Sequence, residues 1–186
     1  WIDRLIRYPT LLEQASEAIV ESIDSGHKIY IYGCGATGRL AKQMESAFWR
    51  PFWNRIQRHA CWGKLRAHLP EDIAEKLIGE MTGADRALVS SLEGFEDLQL
   101  IGRLQAEDRG VDRGDVVVCV TEGGETSSVI GTVLAALEQY GELTEERIRE
   151  ARRRLYFIYN NPDGVLRPFE RSAAVVDSPA ITKINL

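Results

Sequence analysis

Apolar residues recur at helical spacing over residues 10–25, where Leu11, Leu12, Ala15, Ile19 and Ile23 share one face with Glu and Ser between them. Gly26 follows in the place of a helix-ending glycine. Lys28–Tyr32 then reads as a short strand. From Thr37 a second helix runs into the aromatic stretch Phe48-Trp49-Arg50-Pro51-Phe52-Trp53, and Pro51 is expected to kink or end it. Glu71–Leu77 looks helical, with Pro70 suited to its first turn, and Leu77–Met81 is a short strand closed by Thr82-Gly83-Ala84-Asp85. Residues 86–106 predict a helix in two pieces, interrupted at Gly94 and Gly102.

Beyond that point the pattern sharpens. Val116–Val120 is an unbroken, β-branched apolar run of the kind a strand covered on both faces requires. Residues 127–140 and Thr144–Arg154 return to helical spacing, Leu155–Tyr159 is another apolar strand, and Asn160-Asn161-Pro162-Asp163-Gly164 closes it. Ala173–Val176 is expected to be the last strand. Strands alternating with helices imply right-handed crossovers and a parallel α/β sheet with helices on both faces. There is no clear repeat, linker or low-complexity stretch, so an N-terminal helical segment (1–27) is expected to lead into one domain (28–186).

Composition narrows the function classes. With 44% hydrophobic and 27% charged residues among 186, the chain suits a globular core. A net charge of −5 argues against nonspecific nucleic-acid binding, and no apolar stretch is long enough for a transmembrane helix. Cys34, Cys61 and Cys119 are odd in number and lack metal-type spacing; they predict reduced thiols and a cytoplasmic protein. His27, His59 and His68 show no ligand spacing, so neither a metal nor a cofactor is expected. The chain begins without Met and stops at Ile184-Asn185-Leu186 with no turn signal, which predicts a piece of a longer protein.

Two glycine-rich turns carry the candidate chemistry. Gly33-Cys34-Gly35-Ala36-Thr37-Gly38-Arg39 follows the first strand, and Thr121-Glu122-Gly123-Gly124-Glu125-Thr126-Ser127-Ser128 follows Val116–Val120. A glycine-lined turn opening a helix presents unpaired N–H groups at the positive end of the helix dipole, which suits a phosphate. The first turn contains GxGxxG, but a dinucleotide site also requires an acid about 20 residues on. Glu45 is the one acidic residue between Arg39 and Pro70, and it falls short of that place. No Gly-Lys-Ser/Thr follows either turn.

These residues resemble a family. Gly33–Leu40 looks like the first sugar-contacting loop of sugar isomerase (SIS) domains, in the branch that holds N-acetylmuramic acid 6-phosphate etherase and glucokinase regulatory protein. Thr82–Val89 and Leu92-Glu93-Gly94-Phe95-Glu96-Asp97 are similar to a second signature of that branch, and the likeness continues through Gly114–Leu137 to Asn161-Pro162. The resemblance implies a three-layer αβα sandwich with a five-stranded, parallel, flavodoxin-like sheet that binds phosphorylated or N-acetylated sugars, as a homodimer or a tandem pair. It implies that Gly35, Ala36, Thr37, Gly38 and Arg39 approach the ligand, that Thr121, Gly123, Gly124, Thr126, Ser127 and Ser128 hold the phosphate or ring hydroxyls, and that Glu93 is the base if the protein is an enzyme. Three departures qualify it. Ala47 stands where the etherases carry a second glutamate, Glu122 and Glu125 put like charges beside any phosphate, and a third substrate loop would begin after Leu186.

The residues leave alternatives open. The glycines of the second turn equally serve a tight strand-to-helix connection, and Glu93, Glu96 and Asp97 equally form a solvated helix start. Phe48, Trp49, Phe52, Trp53 and Trp62 read as core or as a subunit interface. Three functions remain: a sugar-phosphate sensor or regulator, a sugar-phosphate lyase or isomerase, and an assembly module that binds no sugar.

Overall fold

In the computed structural model of the chain, residues 9–90 and 94–186 are described. Helix α1 (Pro9–Asp24) buries Ala18 and Ile23. At its end the Ser22 hydroxyl donates to the Gly114 carbonyl at 3.0 Å, tying α1 to the turn before the central strand. Five strands follow in chain order: β1 (Ile29–Gly33), β2 (Leu77–Met81), β3 (Val116–Val120), β4 (Leu155–Tyr159) and β5 (Thr182–Asn185). All pair in parallel, in the order β2-β1-β3-β4-β5.

The two-residue alternation of each strand sorts side chains to two faces. Tyr30, Tyr32, Val117, Cys119, Phe157 and Tyr159 enter one core with the helix α7 (Ser127–Glu138). Ile29, Val116, Tyr156 and Ile184 enter the other with α1 and the half-buried Trp49, Trp53 and Trp62. Helix α7 is buried nearly all round, as an apolar helix in the middle of a layer must be. The sandwich expected from the alternation of strands and helices is therefore present, with a flavodoxin-like strand order.

Three local expectations are corrected. The chain runs without a break through α2 (Gly35–Gln43), a π-helical turn (Met44–Trp49) and α3 (Arg50–Gln57), so Pro51 does not end it there. The widened π turn just before Pro51 gives its ring room and asks no N–H of it. Glu71–Leu77 is not a helix but turns and a short 3₁₀ piece, Ile73–Glu75, because Lys76 and Leu77 are already drawn into β2. Ala173–Val176 is not a strand. It lies in α10 (Glu170–Val176), where Ser172, Val175 and Val176 are buried at helical spacing, and the last strand is β5.

The remaining helices are α4 (Trp62–Leu65), α5 (Ala84–Val89), α6 (Gln99–Asp108), α8 (Glu145–Arg154) and α9 (Asp163–Leu166). Gly102 lies inside α6 without interrupting it, while Gly94 does precede a separate 3₁₀ turn, Phe95–Asp97. A Cβ at Gly102 would sit 1.8 Å from the Ser128 carbonyl, so the glycine is what lets α6 lie against α7. Neighbouring strands β1 and β3 send the chain to opposite sides of the sheet, which opens a crevice at their carboxyl ends. Both glycine turns stand at that edge.

Candidate functional site

The first turn is shaped by backbone geometry. Gly35 opens α2 at φ +56°, a left-handed value that an L side chain adopts only under strain. A Cβ at Gly38 would lie 2.7 Å from the Gly33 carbonyl and from Met81, so α2 can approach β1 and β2 only with glycine here. The Thr37 hydroxyl accepts from the Cys34 N–H at 3.1 Å and shares its own proton between the carbonyls of Cys34 (2.8 Å) and Val120 (3.2 Å). It locks the first turn to the end of β3. Ala36 and Arg39 are exposed, and Arg39 forms no hydrogen bond or ion pair among the described residues.

The second turn is held from within and from α10. Thr121 Oγ1 and Thr126 Oγ1 lie 2.9 Å apart, and the Gly124 N–H donates to Thr121 Oγ1 at 3.4 Å. The buried Ser172 hydroxyl donates to the Gly124 carbonyl at 3.0 Å. Ser128 and Thr82, both buried, share a hydroxyl–hydroxyl bond of 2.9 Å that ties α7 to the end of β2. Ser127 Oγ accepts from Arg171 at 2.7 Å, and the same guanidinium nitrogen donates to the Asp97 carbonyl at 3.1 Å. Glu122 and Glu125 both face solvent.

A cavity of about 150 Å³ opens beside the first turn, lined by Cys34, Gly35, Arg39, Thr82, Ala87 and Glu96 with Met81 at its base. The Cys34 thiol donates to Glu96 Oε2 at 3.6 Å. Burial pushes the Cys34 thiol above its ordinary pKa and the Glu96 charge adds to the effect, while Thr82 and the Gly35 N–H oppose it. A second cavity, beside the second turn, is lined by Glu125, Ser127, Phe169, Glu170, Arg171 and Ser172. Of the residues expected from sequence, Gly35 and Arg39 line the first cavity and Ser127 the second. Thr37, Thr121 and Ser128 instead hold the turns in shape through their hydroxyls.

No family model matches the chain. It is 29% identical over 127 residues to the N-acetylmuramic acid 6-phosphate etherase of Prochlorococcus marinus (strain MIT 9313), covering 68% of this chain and 34% of the relative. The etherase of Thermosynechococcus vestitus (strain NIES-2133 / IAM M-273 / BP-1) is 30% identical over 144 residues, covering 72% and 39%. Among solved structures, phosphoheptose isomerase from Neisseria gonorrhoeae matches 98% of this chain and 76% of its own at a TM-score of 0.55 and 17% identity, which shows a shared fold. The chain has a SIS-type fold and is similar in sequence to these etherases. It spans little more than a third of the length of the curated relatives it matches.

The positions that the resemblance compares with a second glutamate are plainly placed. Ala47 is exposed on the π turn. Glu45 points the other way and is 8% exposed. It accepts the Gly79 N–H at 2.9 Å, pairs with Arg50 at 2.8 Å and lies 3.9 Å from Lys42. Glu93 lies outside the described residues.

Sequence reasoning missed Thr82 as a partner of the second turn, and it missed Arg171. Thr82 stood in a recognised segment but read only as a turn. Arg171 lies 44 residues from Ser127 in a segment expected to precede a strand, so no spacing rule could have placed it there. The aromatic cluster divides. Trp49, Trp53 and Trp62 pack on the core, with the Trp49 indole donating to the Ile73 carbonyl at 2.9 Å, while Phe48 is 65% exposed and stacks on Phe52.

Proposed function

We propose that this SIS domain binds a phosphorylated or N-acetylated sugar and acts as a sensor or regulator rather than turning it over. The observation that carries the reading is the state of Glu45. The carboxylate that the helix after the first turn does possess is committed to a backbone N–H and to Arg50, and the next candidate position holds an exposed alanine. A proton donor to a leaving group must reach it within hydrogen-bond distance, and neither residue is free to do so.

In this reading the sugar sits over Gly35, Ala36, Gly38 and Arg39, with Thr37 keeping the turn in shape. The phosphate takes the N-terminus of α7, where Gly123, Gly124, Thr126 and Ser127 supply donors and Thr121 and Ser128 set the backbone. Arg171 supports this placement, because it brings a cation to a turn whose own charges are Glu122 and Glu125. Residues 28–186 act as one unit in the cytoplasm, with a second SIS domain, from another copy or in tandem, completing the site. No described helix is long and apolar enough to cross a membrane.

Thermal-shift titration of the full-length protein with amino-sugar and sugar phosphates tests the proposal, since a ligand specific for the folded state raises Tm. Arg171→Ala is expected to weaken a phosphorylated ligand about tenfold or more and to spare its unphosphorylated counterpart. No shift across the panel overturns sugar binding altogether and leaves the assembly module. A second reading is favoured by the names of the relatives, which are etherases. In it Glu93 abstracts the proton beside the sugar carbonyl. Lactate release from N-acetylmuramic acid 6-phosphate that stops in Glu93→Gln would establish the etherase, and binding without release supports the sensor.

A further inference from the structure

The turn between α3 and α4 carries a thiol–imidazole pair that has no part in the sugar site. His59 Nδ1 lies 3.1 Å from Cys61 Sγ and accepts the Cys61 N–H at 3.3 Å. Because that nitrogen is already an acceptor, the ring carries its proton on Nε2, and the thiol S–H is the group that points at Nδ1. The turn is fixed by backbone bonds from His59 N–H to the Ile56 carbonyl and from Trp62 N–H to the His59 carbonyl, each 3.0 Å. The pair is held in place, half-buried at sulfur and exposed at the ring.

Its surroundings are cationic. Arg55, Arg58, Lys64 and Arg66 neighbour the pair along the chain, and none of them forms an ion pair or a side-chain hydrogen bond among the described residues. Beside it, an open cavity of about 410 Å³ is lined by Gln57, Trp62, Arg66, Ala67 and Glu71, the last being its one acid. A thiol beside an imidazole and several cations is the setting in which cysteine reacts as a nucleophile.

We propose that Cys61, with His59 as its base, is a site of reversible thiolation on this chain by small anionic disulfides. The Cys61 proton passes to His59 Nδ1. The thiolate attacks one sulfur of the disulfide, a new S–S bond to Cys61 forms as the old one breaks, and the departing thiolate takes the proton from the imidazolium. Atoms and electrons balance with no further oxidant. The chain's other thiols are unsuited to this exchange. Cys34 is hydrogen-bonded to a carboxylate, which disfavours a thiolate, and Cys119 is fully buried.

The experiment treats the protein with oxidised glutathione at neutral pH and follows each cysteine by peptide mass spectrometry. Cys61 is expected to gain the adduct about tenfold faster than Cys34 or Cys119, and dithiothreitol is expected to remove it. His59→Asn sets an amide oxygen at the place of Nδ1 to accept the Cys61 N–H but cannot take the proton, and it is expected to slow the reaction about tenfold with an unchanged circular dichroism spectrum. His59→Gln, lying on an exposed turn, serves as an independent second variant. Raising the salt concentration is expected to slow oxidised glutathione more than a neutral hydroxyethyl disulfide, because the flanking cations are screened. Equal adduct rates at Cys34 and Cys61, or wild-type rates in both His59 variants, would overturn the proposal. An equal salt response of the two disulfides would overturn its anionic selectivity.

Discussion

Removing Arg109 is the perturbation for which the structure supplies the clearest magnitude. Glu80 on β2 is fully buried, and its Oε2 accepts from Arg109 Nε at 2.5 Å. Among the described residues the other oxygen, Oε1, has no hydrogen-bond partner, and the hydroxyl of its register partner Tyr32 has none either. Arg109→Met therefore leaves a carboxylate in an apolar layer with nothing to replace the cation. Breaking such a pair costs roughly 3–5 kcal/mol, and because the Arg109 side chain is 36% exposed the lower end, about 3 kcal/mol, applies. For a domain of this length that is a fall in Tm of about 6–12 °C. Urea unfolding followed by circular dichroism reads the effect directly, with an unchanged slope marking a true loss of stability. The double variant Glu80→Met with Arg109→Met removes the charge along with its partner and is expected to return to within about 1 kcal/mol of the parent. If Arg109→Met costs less than about 1 kcal/mol, or the double variant is no better than the single, the burial argument is refuted.

Three further outcomes follow from the same geometry. Gly102→Ala places a methyl against the Ser128 carbonyl and Thr132, so it should cost about 1–3 kcal/mol and weaken ligand binding at the α7 N-terminus; unchanged melting would contradict the close approach of α6 and α7. Thr37→Val keeps the shape but removes the hydroxyl that joins Cys34 to the Val120 carbonyl, and about 1–2 kcal/mol of stability should go with it in chemical denaturation. Burial pushes the phenols of Tyr30, Tyr140 and Tyr156 up to about 12. The unfolded chain ionises near the ordinary value of about 10, so this stability is fully present below pH about 10 and is lost as pH rises through about 12. The urea midpoint should fall across that window, and at pH about 11 the folded protein should show less tyrosinate absorbance than the urea-unfolded chain. A flat midpoint would show that those rings are not held as neutral phenols.

Much of the fold was legible because burial and periodicity agreed. Val116–Val120 has no polar position, and only a strand covered on both faces can keep such a run out of water. Where they disagreed, packing overrode local preference. Val175-Val176 favours a strand by propensity, yet Ser172, Val175 and Val176 align one helical face over the second turn, and Ser172 is needed there to hold the Gly124 carbonyl. Pro51 reads as a breaker in any local rule. That rule assumes an α-helical turn ahead of it, whereas the π turn at Met44–Trp49 widens the helix where the ring needs space and turns Glu45 inward to Gly79.

The two turns, similar as sequence, part company in three dimensions for the same reason. A glycine turn advertises its backbone, but what charge it meets depends on side chains brought from elsewhere in the chain. At the first turn those are Thr82 and Glu96, with Arg39 exposed beside them. At the second they are Arg171 and Ser172 from α10, which no spacing in the sequence connects to Ser127. Judged from residues 121–128 alone, Glu122 and Glu125 make the second turn a poor place for an anion. With Arg171 bonded to Ser127, a cation stands at the α7 N-terminus to offset the exposed Glu122 and Glu125. The long-range contact, not the motif, decides whether that helix end can hold a phosphate, and so the substitution that discriminates best between a sugar-phosphate site and a bare structural turn is Arg171→Ala rather than any change within the glycines.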